Sequence, residues 1–247
     1  MLILAIESSA KPVSVAVFEV PCKSKHKESG KPDSGGKLLG QYFQNNGFSH
    51  SRTLLSLADS LLENLDIKPS DIGLIAVSRG PGSFTGVRIG VSAAKGLAWG
   101  LDIPVCGVST LEAMAYQTPE TGAVICPVMD ARRGQVYNAL FEWRNGTLVR
   151  LRADRAISLY DLAADIHTFG LPGLLVGDGV AVCEGSEKFS GCRAAPQLLR
   201  YQSAYGVALA AVTSKPVPAV DLEPYYLRPS QAERERSQSM SNSSSIS

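Results

Sequence analysis

The chain has 247 residues, 45% of them apolar, and its 24 Lys and Arg against 23 Asp and Glu leave a formal net charge of +1. That balance excludes a chain-wide basic nucleic-acid surface and predicts a globular protein with a substantial core, in one large domain or two small ones. The apolar opening, residues 1–6, meets Glu7 at once, and no later segment has the ~18 uninterrupted apolar residues of a membrane span; a cytoplasmic protein with no membrane role is expected.

In chain order, LILAIES (2–8), VSVAVFEV (13–20) and KLLGQYFQ (37–44) read as strands, with the Lys-, Ser- and Gly-rich stretch 22–36 as a long hairpin tip. A helix follows over about 49–65, then the strand LIAVSRG (74–80) and a helix over about 83–100, giving the order βββαβα. A similar order returns downstream: AVICPVMD (123–130), QVYNALFEW (135–143), TLVRLRA (147–153), a helix over 158–169, GLLVGDG (173–179) and a last helix over 197–213. AIESSAKPVSVAVF lies over VMDARRGQVYNALF without a gap, setting Glu7 against Asp130 and Phe18 against Phe141. Two such halves predict a duplicated α/β unit of the actin-like, ribonuclease-H-like kind, with a cleft between an N-terminal lobe (1–105) and a C-terminal lobe (106–228). From 229 onward the chain is polar and Ser-rich, the composition of a disordered tail.

Glu7 and Asp130 end the first strand of each half, where nucleotide-using members of that architecture carry acids. The turn after Glu7, SSAKP, holds no glycine, and Pro12 has no N–H to offer a phosphate. Asp130 is followed by Arg132 and Arg133, whose charge suits a phosphate or a partner's carboxylates. Two readings stand for the acids: a nucleotide site, or strand-end residues satisfied by local hydrogen bonds.

The block SRGPGSFTGVRIG (78–90) departs from a phosphate-binding P-loop, because Val87 stands where the lysine should follow Gly86. Pro81 and Gly82 suit a turn, with Ser83 or Thr85 as the cap of the helix beyond. Gly86, Gly90, Ala93 and Leu97 then share a helical face whose emptiness suits close approach of another backbone. On the preceding helix Leu54, Leu57, Ala58, Leu61 and Leu65 form one arc, and Leu55 and Leu62 widen it to roughly 160°. Either neighbouring elements of the same chain cover that excess, or a partner subunit does.

RGPGSFTGVRIG, with GLAWGLDIPVCGVSTLEAMA after it, closely resembles the TsaB (YeaZ) family, and LAIESS, FSHSR and DARRGQVY fall in that family's order. The resemblance runs through about residues 1–145; the second half agrees in pattern only. It implies a noncatalytic scaffold or activator subunit that binds the transferase TsaD, together with the ATPase TsaE, for attaching threonylcarbamoyl to N6 of adenosine 37 in tRNAs reading codons that start with A. It implies further that the helices over 49–65 and 83–100 form the partner interface, that tRNA is reached indirectly, and that ATP or ADP with Mg belongs to the assembled complex. A homodimer through the same apolar face is the expectation for the chain alone. Where the catalytic relative carries H-x-E-x-H, this chain reads TLEAM, with Thr110 and Met114 at the two ligand positions and Glu112 retained. Glu7 stands in place of the family's more usual aspartate, and the 22–36 insert is longer than typical. His26, His50 and His167 are scattered and form no substitute cluster, and the five cysteines include no C-x-x-C pair, as suits structural thiols in a reducing compartment. The alternative function is an autonomous ATP-dependent enzyme, sugar-kinase-like or ATPase, with Glu7 and Asp130 positioning Mg²⁺.

Overall fold

The computed structural model describes residues 1–21, 36–47, 50–119 and 121–228. The expected hairpin tip up to residue 35, with Cys22 and His26, and the expected tail from 229 lie outside the described residues. The first half runs β1 (Leu2–Glu7), β2 (Val13–Glu19), β3 (Lys37–Gln44), α1 (His50–Asn64), β4 (Ile72–Ser78), α2 (Phe84–Leu101) and β5 (Val105–Val108). After α3 (Thr110–Tyr116), the second half runs β6 (Val124–Asp130), β7 (Gln135–Arg144), β8 (Thr147–Ser158), α4 (Leu159–His167), β9 (Gly173–Val176), α5 (Val180–Glu184) and β10 (Cys192–Ala194), then α6 (Gln197–Arg200) and α7 (Ala204–Thr213).

The two halves build two five-stranded sheets of the same order, β3-β2-β1-β4-β5 and β8-β7-β6-β9-β10. In each, the first three strands form an antiparallel meander and the last two join in parallel, β1 on β4 on β5 and β6 on β9 on β10. The fold is therefore the duplicated actin-like, ribonuclease-H-like α/β architecture. β1, β4 and β6 are apolar at nearly every position because helices cover both faces of their sheets.

Helices α1 and α2 cover one face of the first sheet, packing Leu54, Leu61, Val87 and Val91 against Ile6, Val15 and Val77. The opposite face is covered by α7, whose Val207 and Ala211 meet Ile3, Ala5 and Leu74. In the second sheet, α3 places Leu111 and Met114 against Ile125 and Phe141 on one face, while α4 and α5 close the other. Each half is thus sealed by the helix that follows the other half, and α3 and α7 pack together between them.

Two elements differ from the sequence reading in extent. The expected last helix is broken into α6 and α7 because residue 202 is a fully buried glutamine whose Nε2 donates to Asp178 (2.8 Å), and Ser203 caps α7 afresh. The expected lobe boundary after residue 105 falls inside β5, which belongs to the first sheet. The described cysteines are free thiols; burial pushes Cys106, Cys126, Cys183 and Cys192 upward in pKa, Cys183 to about 12. Among the described residues no helix is long and apolar enough to cross a membrane.

Candidate functional site

The first turn decides what Glu7 can do. Its side chain is fully buried, and Oε1 accepts from both the Ser9 N–H (2.6 Å) and the Ser9 hydroxyl (2.6 Å). Oε2 lies near the Ser78 hydroxyl on the adjacent parallel strand, and neither of these buried atoms makes a well-formed hydrogen bond. Burial pushes the carboxyl above the usual glutamate range, against the opposing pull of Ser9, Ser78 and the His50 charge.

The same turn wedges beneath α2. Ser8 donates from Oγ to the Gly86 carbonyl (2.8 Å), and the Ser9 carbonyl accepts from Ser83 N–H (2.7 Å) at the helix entry. A Cβ on Gly86 would overlap the Ser8 carbonyl oxygen, and one on Gly90 the Ser8 hydroxyl. What the two glycines admit is this chain's own first turn, the Ser8 backbone at Gly86 and the Ser8 side chain at Gly90. This corrects the expectation that Gly86 and Gly90 receive a partner.

The inner arc of α1 is corrected for the same reason: Leu54, Ala58 and Leu61 are 1%, 5% and 2% exposed, buried in the core with Leu62. Leu57, Leu65, Ala93 and Leu97 are partly buried against that core. The uncovered surface is one step around each helix. Leu55 is 52% exposed, and with Ile89, Ser92 and Ala93 it lines a shallow groove of about 460 Å³ between α1 and α2, bounded by Arg88. Farther along α2, Gly96 and Gly100 have open space above them, and Trp99 is 80% exposed. The sequence reading missed this stripe because glycines lie on both sides of α2, and composition does not say which side meets the sheet.

Asp130 ends β6 as expected and is partly exposed. Its Oδ1 accepts from the Arg132 N–H (2.8 Å) and its Oδ2 pairs with the Arg132 guanidinium (3.3 Å). Arg132, Arg133 and Gly134 are successive left-handed residues (φ 65, 57 and 70°), a conformation that non-glycine side chains adopt at a cost. Both arginines are exposed. Asp178, in the loop after β9, is a neighbour that sequence reasoning passed over although its GDG motif stood in view. Burial pushes its carboxyl upward, the Asp130 charge adds to this, and the Gln202 amide and Lys11 charge oppose it. Glu7 is sealed under its own turn and Asp130 is held by its own hairpin, so the two acids do not form a matched pair of ligands. The arrangement does not fit Mg²⁺-nucleotide binding through Glu7 and Asp130 in this chain alone.

The TLEAM positions are likewise absorbed into structure. Thr110 and Met114 are buried, and Glu112 is held by Arg150 (2.8 Å), which also pairs with Asp154. His50 sits at the start of α1 with Nε2 against the Lys11 carbonyl (3.1 Å), and His167 is in the last turn of α4.

The family model described as TsaD: tRNA N6-adenosine threonylcarbamoyltransferase matches residues 46–213. The tRNA threonylcarbamoyladenosine biosynthesis protein TsaB of Bacillus subtilis (strain 168) is 36% identical over 177 residues, 72% of this chain and 71% of the relative. The TsaB of Escherichia coli (strain K12) is 35% identical over 58% of this chain, an alignment that spans 55% of that relative. A tRNA N6-adenosine threonylcarbamoyltransferase of Salinibacter ruber is 28% identical over 70% of this chain and 53% of its own length. Among solved structures, a Pseudomonas aeruginosa protein described as similar to peptidase YEAZ superposes with a TM-score of 0.71 at 26% identity, covering 92% of this chain and 99% of that one.

Proposed function

From the premise that this chain belongs to the TsaB (YeaZ) family, we propose that it is a noncatalytic subunit in the synthesis of threonylcarbamoyladenosine on tRNA, docking on the transferase TsaD through the outer face of α1 and α2. One observation carries the reading: Leu55, Ile89, Ala93, Gly96, Gly100 and Trp99 leave an apolar, small-residue surface along two helices that, among the described residues, no other element covers. Glycines let a partner helix come close, and an exposed tryptophan beside them is a typical interface anchor. The family's metal-ligand positions hold a hydroxyl and a thioether, both buried, which suits a subunit that supports chemistry done elsewhere.

On this reading TsaE joins the same assembly and tRNA is reached through it. Any ATP or ADP with Mg sits at the subunit junction, with Arg132 and Arg133 facing phosphate, and the same outer face pairs two copies when TsaD is absent. The setting is the cytoplasm. The competing reading, an autonomous ATP-dependent enzyme, needs Glu7 as a Mg²⁺ ligand, and Glu7 is fully buried. Titration calorimetry of the isolated chain with Mg·ATP separates the two: micromolar binding lost in Asp130→Asn supports the enzyme.

Gly96→Leu tests the docking face. The glycine is exposed in mid-helix with nothing within reach of a Cβ, so leucine improves helix propensity by about 0.5–1 kcal/mol and the melting temperature holds or rises. Association with TsaD, read by calorimetry, should weaken tenfold or more. Unchanged affinity in a folded Gly96→Leu chain overturns the assignment.

A further inference from the structure

After α7 the chain does not leave the molecule. Val217 pairs with Val105 in both directions (2.8 and 2.9 Å), extending the first sheet by one bridge, and the Lys95 ammonium on α2 donates to the Val220 and Leu222 carbonyls (3.1 Å each). Leu222 is buried among the first-sheet core. Residues 222–228 then run without regular structure, yet contacts fix them at both ends.

On the first-sheet side, Tyr225 N–H donates to the Arg79 carbonyl (2.7 Å), and a side chain on Gly80 would overlap the Tyr225 carbonyl oxygen. Tyr226 stacks on Phe84 (centroids 4.8 Å apart) and its hydroxyl accepts from Arg88 Nε (3.1 Å), while the Arg88 guanidinium lies over the Phe84 ring (4.0 Å). On the second-sheet side, Arg228 donates from Nη1 to the Ala131 carbonyl (3.2 Å) and faces the Tyr137 ring (6.0 Å). Ala131 is the residue at which the Arg132–Arg133 turn begins.

We propose that residues 222–228 are an interlobe strap: Tyr226 and Arg228 are positioning residues that tie Arg88, at the rim of the α1–α2 groove, to the β6–β7 turn carrying Arg132 and Arg133. Only Tyr226 and Leu227 separate the pin at Tyr225 from the pin at Arg228. The three steps from Tyr225 to Arg228 span at most about 10–11 Å, so a shift of one lobe against the other beyond that short reach breaks a pin. Arg88 has two competing uses. A carboxylate seated in the groove draws the guanidinium from the Tyr226 hydroxyl, because a charge-assisted hydrogen bond outcompetes a neutral acceptor. The strap then loosens at Tyr226, and the turn at Ala131 loses part of its tether. In its second half this inference rests on the docking face proposed above; the strap itself does not.

Hydrogen exchange by mass spectrometry on the isolated full chain tests the strap apart from docking. Tyr226→Ala touches only first-sheet neighbours, yet amides over 131–135 should exchange about fivefold faster, as they should in Arg228→Met, with the amides of β6 and β9 unchanged. Wild-type exchange at 131–135 in Tyr226→Ala overturns the strap. If Tyr226→Ala fails to fold, Tyr226→Phe, which keeps the stack and loses only the hydroxyl, decides by the same comparison. Adding TsaD to the wild-type chain should speed exchange over 131–135 as Tyr226→Ala does. No such change, in a complex that forms, overturns the coupling; failure to form the complex counts against the docking face alone.

Discussion

Glu7 shows how far a single acid's position in a strand can be read and where the reading stops. The apolar run LILAI places it at the end of β1, as expected, but whether its carboxyl faces a cleft or turns under its own backbone depends on the Ser8–Ser9 hydrogen bonds, which no sequence pattern reports. Its folded-state pKa is raised by burial, so the folded chain holds a proton more tightly than the unfolded one. Stability from that proton is full below the unfolded value of about 4.5 and falls as pH rises through the folded value. Glu7→Gln is neutral at every pH, can still accept from Ser9, and carries an N–H₂ toward the Ser78 hydroxyl. The variant's melting temperature relative to wild type should therefore climb between pH 4 and pH 8. A difference that is flat or shrinks over that range shows that Glu7 is carried as a well-solvated carboxylate.

At the scale of elements, the long periodic helices and strands were legible, as was the four-residue β9, and most of the other short ones were not. The VCGV run of β5 and the seven residues of α3 are too brief for a period to establish itself, and the break between α6 and α7 depends on one buried glutamine. The glycine helix was half legible. Its emptiness was evident, but its rotation about its own axis is set by contact with β1 and β4, so Gly86 and Gly90 face inward while Gly96 and Gly100 face out. That difference makes opposite predictions for one kind of substitution. Gly90→Ala forces a methyl into the Ser8 hydroxyl and against Val77 (3.4 Å), and should cost about 1–3 kcal/mol in urea unfolding. A Gly90→Ala chain as stable as wild type would mean that the first turn gives way freely. Gly90→Leu would damage the fold before it reported on docking.

For the whole molecule, the duplication was visible in the gapless overlay of the first and second hairpins, and the two sheets repeat one strand order. The exchange of closing helices was not visible, because an apolar helix carries no label of the sheet it will cover. α7 is apolar around its circumference, as expected of a helix buried between α3 and the first sheet. A chain ended at residue 203 lacks α7 and leaves Ile3, Ala5, Leu74 and Ala76 uncovered. It should lose its cooperative thermal transition and bind a hydrophobic dye. A sharp melt from that fragment would show that the first half closes without help.

The crossed closure has a consequence for birth on the ribosome. The first sheet is fully translated by residue 108, but its lid arrives only with residues 204–213. At about 5–20 residues per second that interval is on the order of 5–20 s, during which a nascent apolar sheet face must be shielded by a chaperone or by transient collapse. Synonymous codons that slow translation between β5 and α7 should therefore lower the yield of folded protein without changing a single side chain.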